Sequence, residues 1–244
     1  MSLLSTSHLS LSIGEHRILS DISFSVDSGE IIGLIGPNGS GKTTLFNVLS
    51  GFLKPSTGTI HLHGEDITTL SPAKRARFGI GRVFQNFGIF RDMTLFENVL
   101  VALEALSKEE RALKGDLRKV SMETLEMVGL QSHAHTKAGS LSGGQMRLLE
   151  IARTLMSGKE LFLLDEPTAG VSPKLTQQVA DLILQLKKQG KTVLVVEHDL
   201  PFIGRICDRV IVMDVGKVVL TGKPNEVKQS KGLRELYFGA DPTT

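Results

Sequence analysis

Lys42 and Thr43 close the stretch GPNGSGKT, Gly36 to Thr43, and far along the chain Asp165 and Glu166 close the apolar run LFLLDE. The first stretch fits the pattern G-x-x-x-x-G-K-[ST]. Gly36, Pro37, Asn38, Gly39, Ser40 and Gly41 then form a loop whose backbone N–H groups converge on phosphate oxygens, since glycine lets successive peptides turn inward. A helix opening at the end of the loop adds partial positive charge. Lys42 is the expected contact to the β- and γ-phosphates. Thr43 offers a hydroxyl to Mg²⁺, and Thr44 is a further phosphate contact. Asp165, at the carboxyl end of a buried strand, is expected to bind Mg²⁺ through water. Glu166 beside it is placed to polarise an attacking water as a general base. Each stretch has a plainer reading alone: a glycine-rich turn capping a helix, or two solvated acids at a strand end. The apolar strand before Gly36, the helix after it and the Lys-Thr pair together favour nucleotide chemistry.

A second glycine loop raises a question. SLSGGQMRLLEIAR, residues 140–153, also runs into a helix. Ser142 with Gln145 three residues on is a capping box. Leu148, Ile151, Ala152, Leu155 and Met156 follow on one helical stripe. A capping box needs no glycine, and Gly143 and Gly144 each cost about 1 kcal/mol against alanine in a first turn. They expose backbone N–H groups and leave room for approach, as at an anion site. One nucleotide needs only one cradle.

The elements that must position these residues are legible in outline. DISFSVD alternates, with Ile22, Phe24 and Val26 on one side and Ser23, Ser25 and Asp27 on the other, and TGTIHLHGEDI reads as another strand after a turn. Antiparallel pairing suits both. EIIGLIG, ELFLLDE, KTVLVVEHD, DRVIVMDVG and KVVLTG are apolar runs alternating with helical patterns, which predicts a largely parallel sheet covered on both faces. A helix after Pro173 has Ser172 as its cap, a buried stripe of Leu175, Val179, Leu182, Ile183 and Leu186, basic Lys187 and Lys188 in its last turn, and Gly190 to end it. Residues of about 87–157 carry helical spacing without a strand pattern and read as a helical lobe inserted into an α/β core.

Composition narrows the partners. The 244 residues carry a net charge of +2 with acids and bases interspersed, so no electrostatic argument favours nucleic acid. The cluster KRAR, Lys74 to Arg77, reads as a solvated helix face. One cysteine, Cys207, allows no disulfide within the chain and reads as a small buried thiol in a reducing compartment. The first residues do not read as a signal peptide, and no apolar run approaches the ~20 residues of a membrane span.

LSGGQ, Leu141 to Gln145, resembles the signature motif of ABC-type ATPases, and the phosphate loop, LFLLDEP and VVEHD are similar to that family's motifs in the same order. The resemblance covers about residues 3–238. It implies an α/β P-loop NTPase fold of ABC ATPase type: a mixed sheet core with an antiparallel β lobe and an inserted α-helical lobe. The chain, 1–244, is then a single domain. Its RecA-like core and β lobe lie at about 1–86 and 158–244, and its helical subdomain at about 87–157. The resemblance implies ATP and Mg²⁺ as cofactors. It implies that two such ATPases, as homo- or heterodimer, pair head to tail, each ATP lying between the phosphate loop of one and Ser142, Gly143, Gly144 and Gln145 of the other.

It also implies that Gln85 in GRVFQN touches Mg²⁺ and the attacking water, and that His198 in VVEHD contacts the γ-phosphate. The position matching the family's adenine-stacking aromatic is Ile13, so contact to the base is expected to be aliphatic or to come from His16 or Arg17. Ser172 stands where many relatives have Asp or Asn. The wording of GIGRVFQN and MTLFENVLV looks like the ATPase subunits of branched-chain amino-acid importers, while lipopolysaccharide-export ATPases share much of it. The implied partners are integral-membrane permeases and a substrate-binding protein, with the chain on the cytoplasmic face of the membrane. An apolar groove around Gln85 to Glu97 is expected to grip a short permease helix, and Phe87 or Phe90 replaced by Asp to uncouple it. A phosphate-loop kinase or GTPase would share Gly36 to Thr43 but lack LSGGQ. A soluble ABC ATPase without a transporter is a further alternative. A non-hydrolysing relative is disfavoured by intact Lys42, Asp165, Glu166 and His198.

Overall fold

The computed structural model describes residues 2–83 and 88–230. Strands β1 (Ser2–Ile13) and β2 (His16–Asp27) form a long hairpin joined by Gly14 and Glu15. Strands β4 (Thr57–Leu62) and β5 (Glu65–Asp66) extend it into an antiparallel sheet of order β2-β1-β4-β5. The alternation in β2 holds: Ile22 and Val26 are buried and Phe24 partly so, while Ser23, Ser25 and Asp27 are exposed.

The second sheet has the order β10-β9-β3-β8-β7-β6. Its strands are β3 (Ile31–Ile35), β6 (Ile80–Val83), β7 (Leu161–Asp165), β8 (Thr192–Val196), β9 (Arg209–Asp214) and β10 (Lys217–Gly222). All pair in parallel except β10, which returns antiparallel along β9. Residues in β3, β7 and β8 are buried throughout, and the period of two sends alternate side chains to opposite cores. Ile32, Leu34, Leu161, Leu163, Leu194 and Val196 join the core shared with α1 (Lys42–Leu49) and the antiparallel sheet. Ile31, Ile35, Phe162, Leu164, Val193 and Val195 join the core on the other face.

Between β1's sheet and β6 lies α2 (Pro72–Arg77), and here the sequence reading of KRAR needs correction. Lys74 and Arg77 are exposed, but Arg75 is 1% exposed. Its guanidinium donates to the carbonyls of Val48 and Leu49 at the end of α1, and to Thr68 and Leu70. Carbonyls in the last turn of a helix lack a donor four residues on, Val48 O being met also by Gly51 N, and a planar fork of donors meets several at once. Burial lowers the Arg75 pKa to about 10.

Among the described residues, four α-helices lie between β6 and β7: α3 (Leu95–Glu104), α4 (Lys108–Lys114), α5 (Leu117–Met127) and α6 (Gly143–Met156). α3 and α4 open with capping boxes, Thr94 with Glu97 and Ser107 with Glu110, so the chain enters each with its first N–H groups met. Leu148, Ile151, Ala152 and Leu155 are buried as their spacing predicts, joined by Leu149, while Met156 is only partly covered. After β7 come α7 (Pro173–Lys188), α8 (Leu200–Ile206) and α9 (Pro224–Gln229). Ser172 accepts from Leu175 N to cap α7; its stripe is Val179, Ala180, Leu182, Ile183 and Leu186, with Leu175 at the margin. Cys207 packs against the core, and burial pushes its thiol pKa well up, as an inert thiol requires.

Candidate functional site

The loop of residues 36–41 leaves the carboxyl end of β3, which is flanked by β9 and β8. Ligands of open parallel sheets collect at such ends. Gly36 is required by close approach: a Cβ there would overlap the carbonyl oxygen of Met213 on β9. Helix α1 opens at Gly41, which is left-handed at φ 99°, with no side-chain cap and no acid in its first turn. Lys42, 6% exposed, folds back so that Nζ donates to Gly36 O at 2.8 Å and Pro37 O at 2.9 Å. Burial lowers its pKa, and the carboxylates of Glu166 and Asp165 oppose that shift. Ser40 Oγ is buried and, among the described residues, has no hydrogen-bond partner. A cavity of about 350 Å³ is lined by Asn38, Gly39, Gly41, Lys42, Thr43 and Thr44 on one side and by Glu166 and His198 on the other.

Asp165 ends β7 at 1% exposure. Its Oδ2 lies 3.4 Å from the guanidinium of Arg82 on β6, and among the described residues Oδ1 has no partner. Burial raises its pKa, only partly offset by Arg82. A desolvated carboxylate oxygen without a donor is a natural cation ligand. Together with the glycine cradle and the inward lysine, it fits a polyphosphate carrying a divalent cation. Glu166 then turns away from the strand at φ 47°, left-handed for a residue with a side chain. Such a conformation costs on the order of 1–3 kcal/mol and persists where the surroundings enforce it. Glu166 N donates to Val196 O, and Glu166 Oε1 lies 3.1 Å from His198 Nε2. The sequence places those two residues far apart; pairing of β7 with β8 brings them together.

The second loop is built differently. Ser142 Oγ accepts from Gln145 N at 3.3 Å, and Gln145 Oε1 accepts from Ser142 N at 3.0 Å, closing the capping box that opens α6. The two glycines separate in role. A Cβ on Gly144 would overlap Leu175 of α7, so this glycine lets two helices approach, a reason the sequence did not disclose. A Cβ on Gly143 would meet open space. Ser142, Gly143, Gly144 and Gln145 do not line the cavity at the phosphate loop.

A sequence model described as ABC transporter matches residues 19–169, more than half of the chain. The chain belongs to the ABC transporter family. Among curated ABC proteins it is 37% identical to the lipopolysaccharide export system ATP-binding protein LptB of Haemophilus influenzae, over 98% of each chain. It is 36% identical to the high-affinity branched-chain amino acid transport ATP-binding protein LivG of Salmonella typhimurium, over 97% of this chain and 98% of that protein. A crystal structure of the ADP conformation of an ABC transporter cassette superposes with TM-score 0.87 at 34% identity, covering 98% of this chain and all of that one. A dimeric cassette in a post-hydrolysis state with ADP and Pi superposes with TM-score 0.78 at 30% identity, covering 91% of this chain and 98% of that one. The fold is therefore the ABC ATPase fold, with its mixed sheet and helical parts, and the chain is a nucleotide-binding ATPase subunit of a transporter.

Three features of this ABC ATPase were not expected from its motifs. Arg82 bridges Asp165 to the end of α1, donating to Asn47 Oδ1 and Ser50 Oγ at 2.7 Å each. Glu197, 4% exposed within VVEHD, accepts from Thr168 N at 2.8 Å, from its hydroxyl at 2.6 Å, and from His198 N. It thus pins the turn after Glu166 to the histidine strand. Arg147 and Glu150 of α6 form an ion pair at 3.0 Å, both nearly inaccessible, and Glu150 Oε1 also accepts from Gly88 N. Spacing on α6 could have flagged that pair, since residues three apart share a face. Ile13 sits at the β1–β2 turn, 55% exposed, and the residue from this hairpin that lines the phosphate-loop cavity is Ile18. Gln85 and Phe87 lie outside the described residues. Phe90 is 47% exposed beneath the Arg153 guanidinium, 4.9 Å from its ring centroid. No helix among the described residues is long and apolar enough to cross a membrane.

Proposed function

We propose that this subunit hydrolyses ATP with Mg²⁺ in a pocket completed by a second ATPase subunit, and that it powers import of branched-chain or other hydrophobic amino acids. The observation that carries the catalytic reading is the convergence of Lys42, Glu166 and His198 on one cavity, with Glu166 and His198 3.1 Å apart. In this reading the amides of residues 36–41 hold phosphate oxygens and Lys42 balances their charge. Thr43 and Asp165 hold Mg²⁺, with Gln85 as a further ligand. Mg²⁺, when bound, neutralises phosphate charge and aligns the reacting oxygens. Glu166 accepts the proton of the attacking water, and His198 faces the γ-phosphate. Ile13 and Ile18 offer the base aliphatic contact only.

Ser142, Gly143, Gly144 and Gln145 serve the partner's nucleotide. The separation of this loop from its own chain's phosphate cavity supports that assignment, as does the open space at Gly143. A mixing experiment tests it. Glu166→Gln and Gly143→Trp chains are each expected to be inactive alone, and their mixture to recover hydrolysis, because one of its two pockets draws only intact halves. Silence of the mixture would overturn the shared pocket.

The groove expected around Gln85 to Glu97 is proposed to be the cavity of about 440 Å³ that Gly88 lines together with Phe52, Ala73, Ala76 and Ala102, as the seat of a short permease helix on the cytoplasmic face of the membrane. Phe90→Asp is expected to lower permease-stimulated hydrolysis with nucleotide binding intact. A substrate-binding protein completes the system in this reading, and a net charge of +2 gives no electrostatic argument for nucleic acid. The transport direction rests on the branched-chain relatives; the export relative favours lipopolysaccharide as a second reading. Radiolabelled leucine uptake lost on Glu166→Gln supports the first. Unchanged uptake with lost surface lipopolysaccharide supports the second.

A further inference from the structure

Arg82 connects two places that the proposed function keeps separate, the Asp165 carboxylate and the wall of the apolar groove. Its side chain is 7% exposed, and that of Asp165 2%. One guanidinium nitrogen, Nη1, donates to Asn47 Oδ1 and Ser50 Oγ, at the far end of the helix that opens with Lys42 and Thr43. The other, Nη2, faces Asp165 Oδ2 at 3.4 Å. The guanidinium also lies over the ring of Phe52, 5.7 Å from its centroid, and Phe52 is 54% exposed in the groove. A planar group with several fixed donors can make all of these contacts at once; an ammonium cannot. Held by Oδ2, Asp165 presents Oδ1 without a protein partner among the described residues.

We infer that Arg82 is a positioning residue, which holds Asp165 by Oδ2 so that the buried Oδ1 keeps its lone pairs for a divalent cation, and makes that hold depend on Phe52 at the groove wall. The inference rests on the reading of Asp165 as a cation ligand. Partners that orient a metal's ligands commonly govern affinity by 10–100-fold, though they never touch the metal. Electrostatics alone predicts the opposite sign. A fixed positive charge beside Asp165 repels a cation, so its removal would tighten binding.

The two signs are separable with Mn²⁺ as probe, titrated by electron paramagnetic resonance into the full chain with saturating ADP. Arg82→Met is expected to raise the Mn²⁺ midpoint about tenfold. Arg82→Lys is expected to restore little, since it keeps the charge and loses the fork. Phe52→Ala is expected to raise the midpoint about threefold in the native background and not at all in Arg82→Met, the mark of two coupled residues. Thermal unfolding of each variant identifies any that fails to fold. If Arg82→Met does, Phe52→Ala alone against the native chain decides, and no shift overturns the inference. A folded Arg82→Met with an unchanged or lowered midpoint overturns the positioning role, as does full rescue by lysine. Phe52→Ala effects equal in both backgrounds overturn the link to the groove. Asp165→Asn separates the layers: an unchanged midpoint there overturns the cation reading itself and the inference with it. A shift there with none in Arg82→Met overturns the Arg82 assignment alone.

Discussion

At Gly41, helix α1 begins with no side-chain cap and no acid in its first turn, beside an inward lysine; at Ser142, helix α6 begins with its capping box closed on both sides. Both are glycine loops running into helices, and both read from sequence as anion cradles. Within one chain they are unequal. The first faces a cavity with the catalytic candidates on its other wall, and the second does not share that cavity. An uncapped N-terminus leaves donors for a ligand to satisfy, whereas a capped one has met part of its own need. The second loop therefore keeps a stable helix start without a nucleotide of its own, which suits the proposal that it serves a partner's nucleotide.

The largest expected effect strikes the first loop's far wall. Glu166→Gln should lower the hydrolysis rate by about 10²–10⁴-fold with nucleotide affinity nearly kept, since it removes a base and little else. Single-turnover rates beside equilibrium binding of a fluorescent ATP analogue measure both. A comparable loss of binding would make Glu166 a binding residue, and the contrast between the loops would weaken.

The two signature glycines come next. Gly144→Val should destabilise the chain by about 1–3 kcal/mol through overlap with Leu175. Gly143→Val should shift stability by only about 0.5 kcal/mol while abolishing steady-state hydrolysis. Chemical denaturation of both variants is the measurement. Equal destabilisation would show that both glycines serve packing, leaving no free surface for a partner's nucleotide.

A smaller effect runs against intuition. Burial raises the Asp165 carboxyl pKa more than Arg82 lowers it, so the ionised side chain weighs against the folded state at neutral pH. Asp165→Asn removes that burden and should raise the melting temperature by about 2–4 °C, the shift of ~1 kcal/mol in a chain of this size, while abolishing cation-dependent turnover. A lowered melting temperature would mean that the Arg82 ion pair outweighs desolvation.

The smallest effect separates the capping boxes. Hydrogen bonds from Thr94 and Ser107 hold Glu97 and Glu110 below the ordinary carboxylate value of 4.5. Their folded-state values lie below the unfolded ones, so their contribution is present above that pH and fades as pH falls through the lowered values. Protection factors of the amides at the starts of α3 and α4 should fall there, while those of α6, closed by the neutral Gln145, should not respond. Gln145→Glu should make α6 behave like the others. A titrating native α6 would contradict the box as drawn.

Much was readable in the chain itself because the signals are local. The β3–loop–α1 unit, the buried runs of β7 and β8, the α7 cap at Ser172 and the α6 box are each set by residues within a few positions of one another. Glu166 was legible at the end of its own apolar run, and the family's motifs added His198 by order along the chain. Their 3.1 Å approach came from parallel pairing of β7 with β8, which no local pattern encodes. The same holds for Arg75, legible as a surface charge yet buried as the cap of α1, and for Gly144, whose need is a methyl of Leu175 on another helix. Arg82, Asn47, Ser50 and Asp165 lie on three separate elements, and only side-by-side packing of β6, β7 and α1 joins them. Sequence alone determined which elements form and what chemistry each loop can do, because backbone conformation and hydrophobic period are short-range. Tertiary structure decided which charges are buried, which glycines are steric necessities and which buried carboxylate oxygen is left without a hydrogen-bond partner, because those depend on neighbours that the chain brings in from far away.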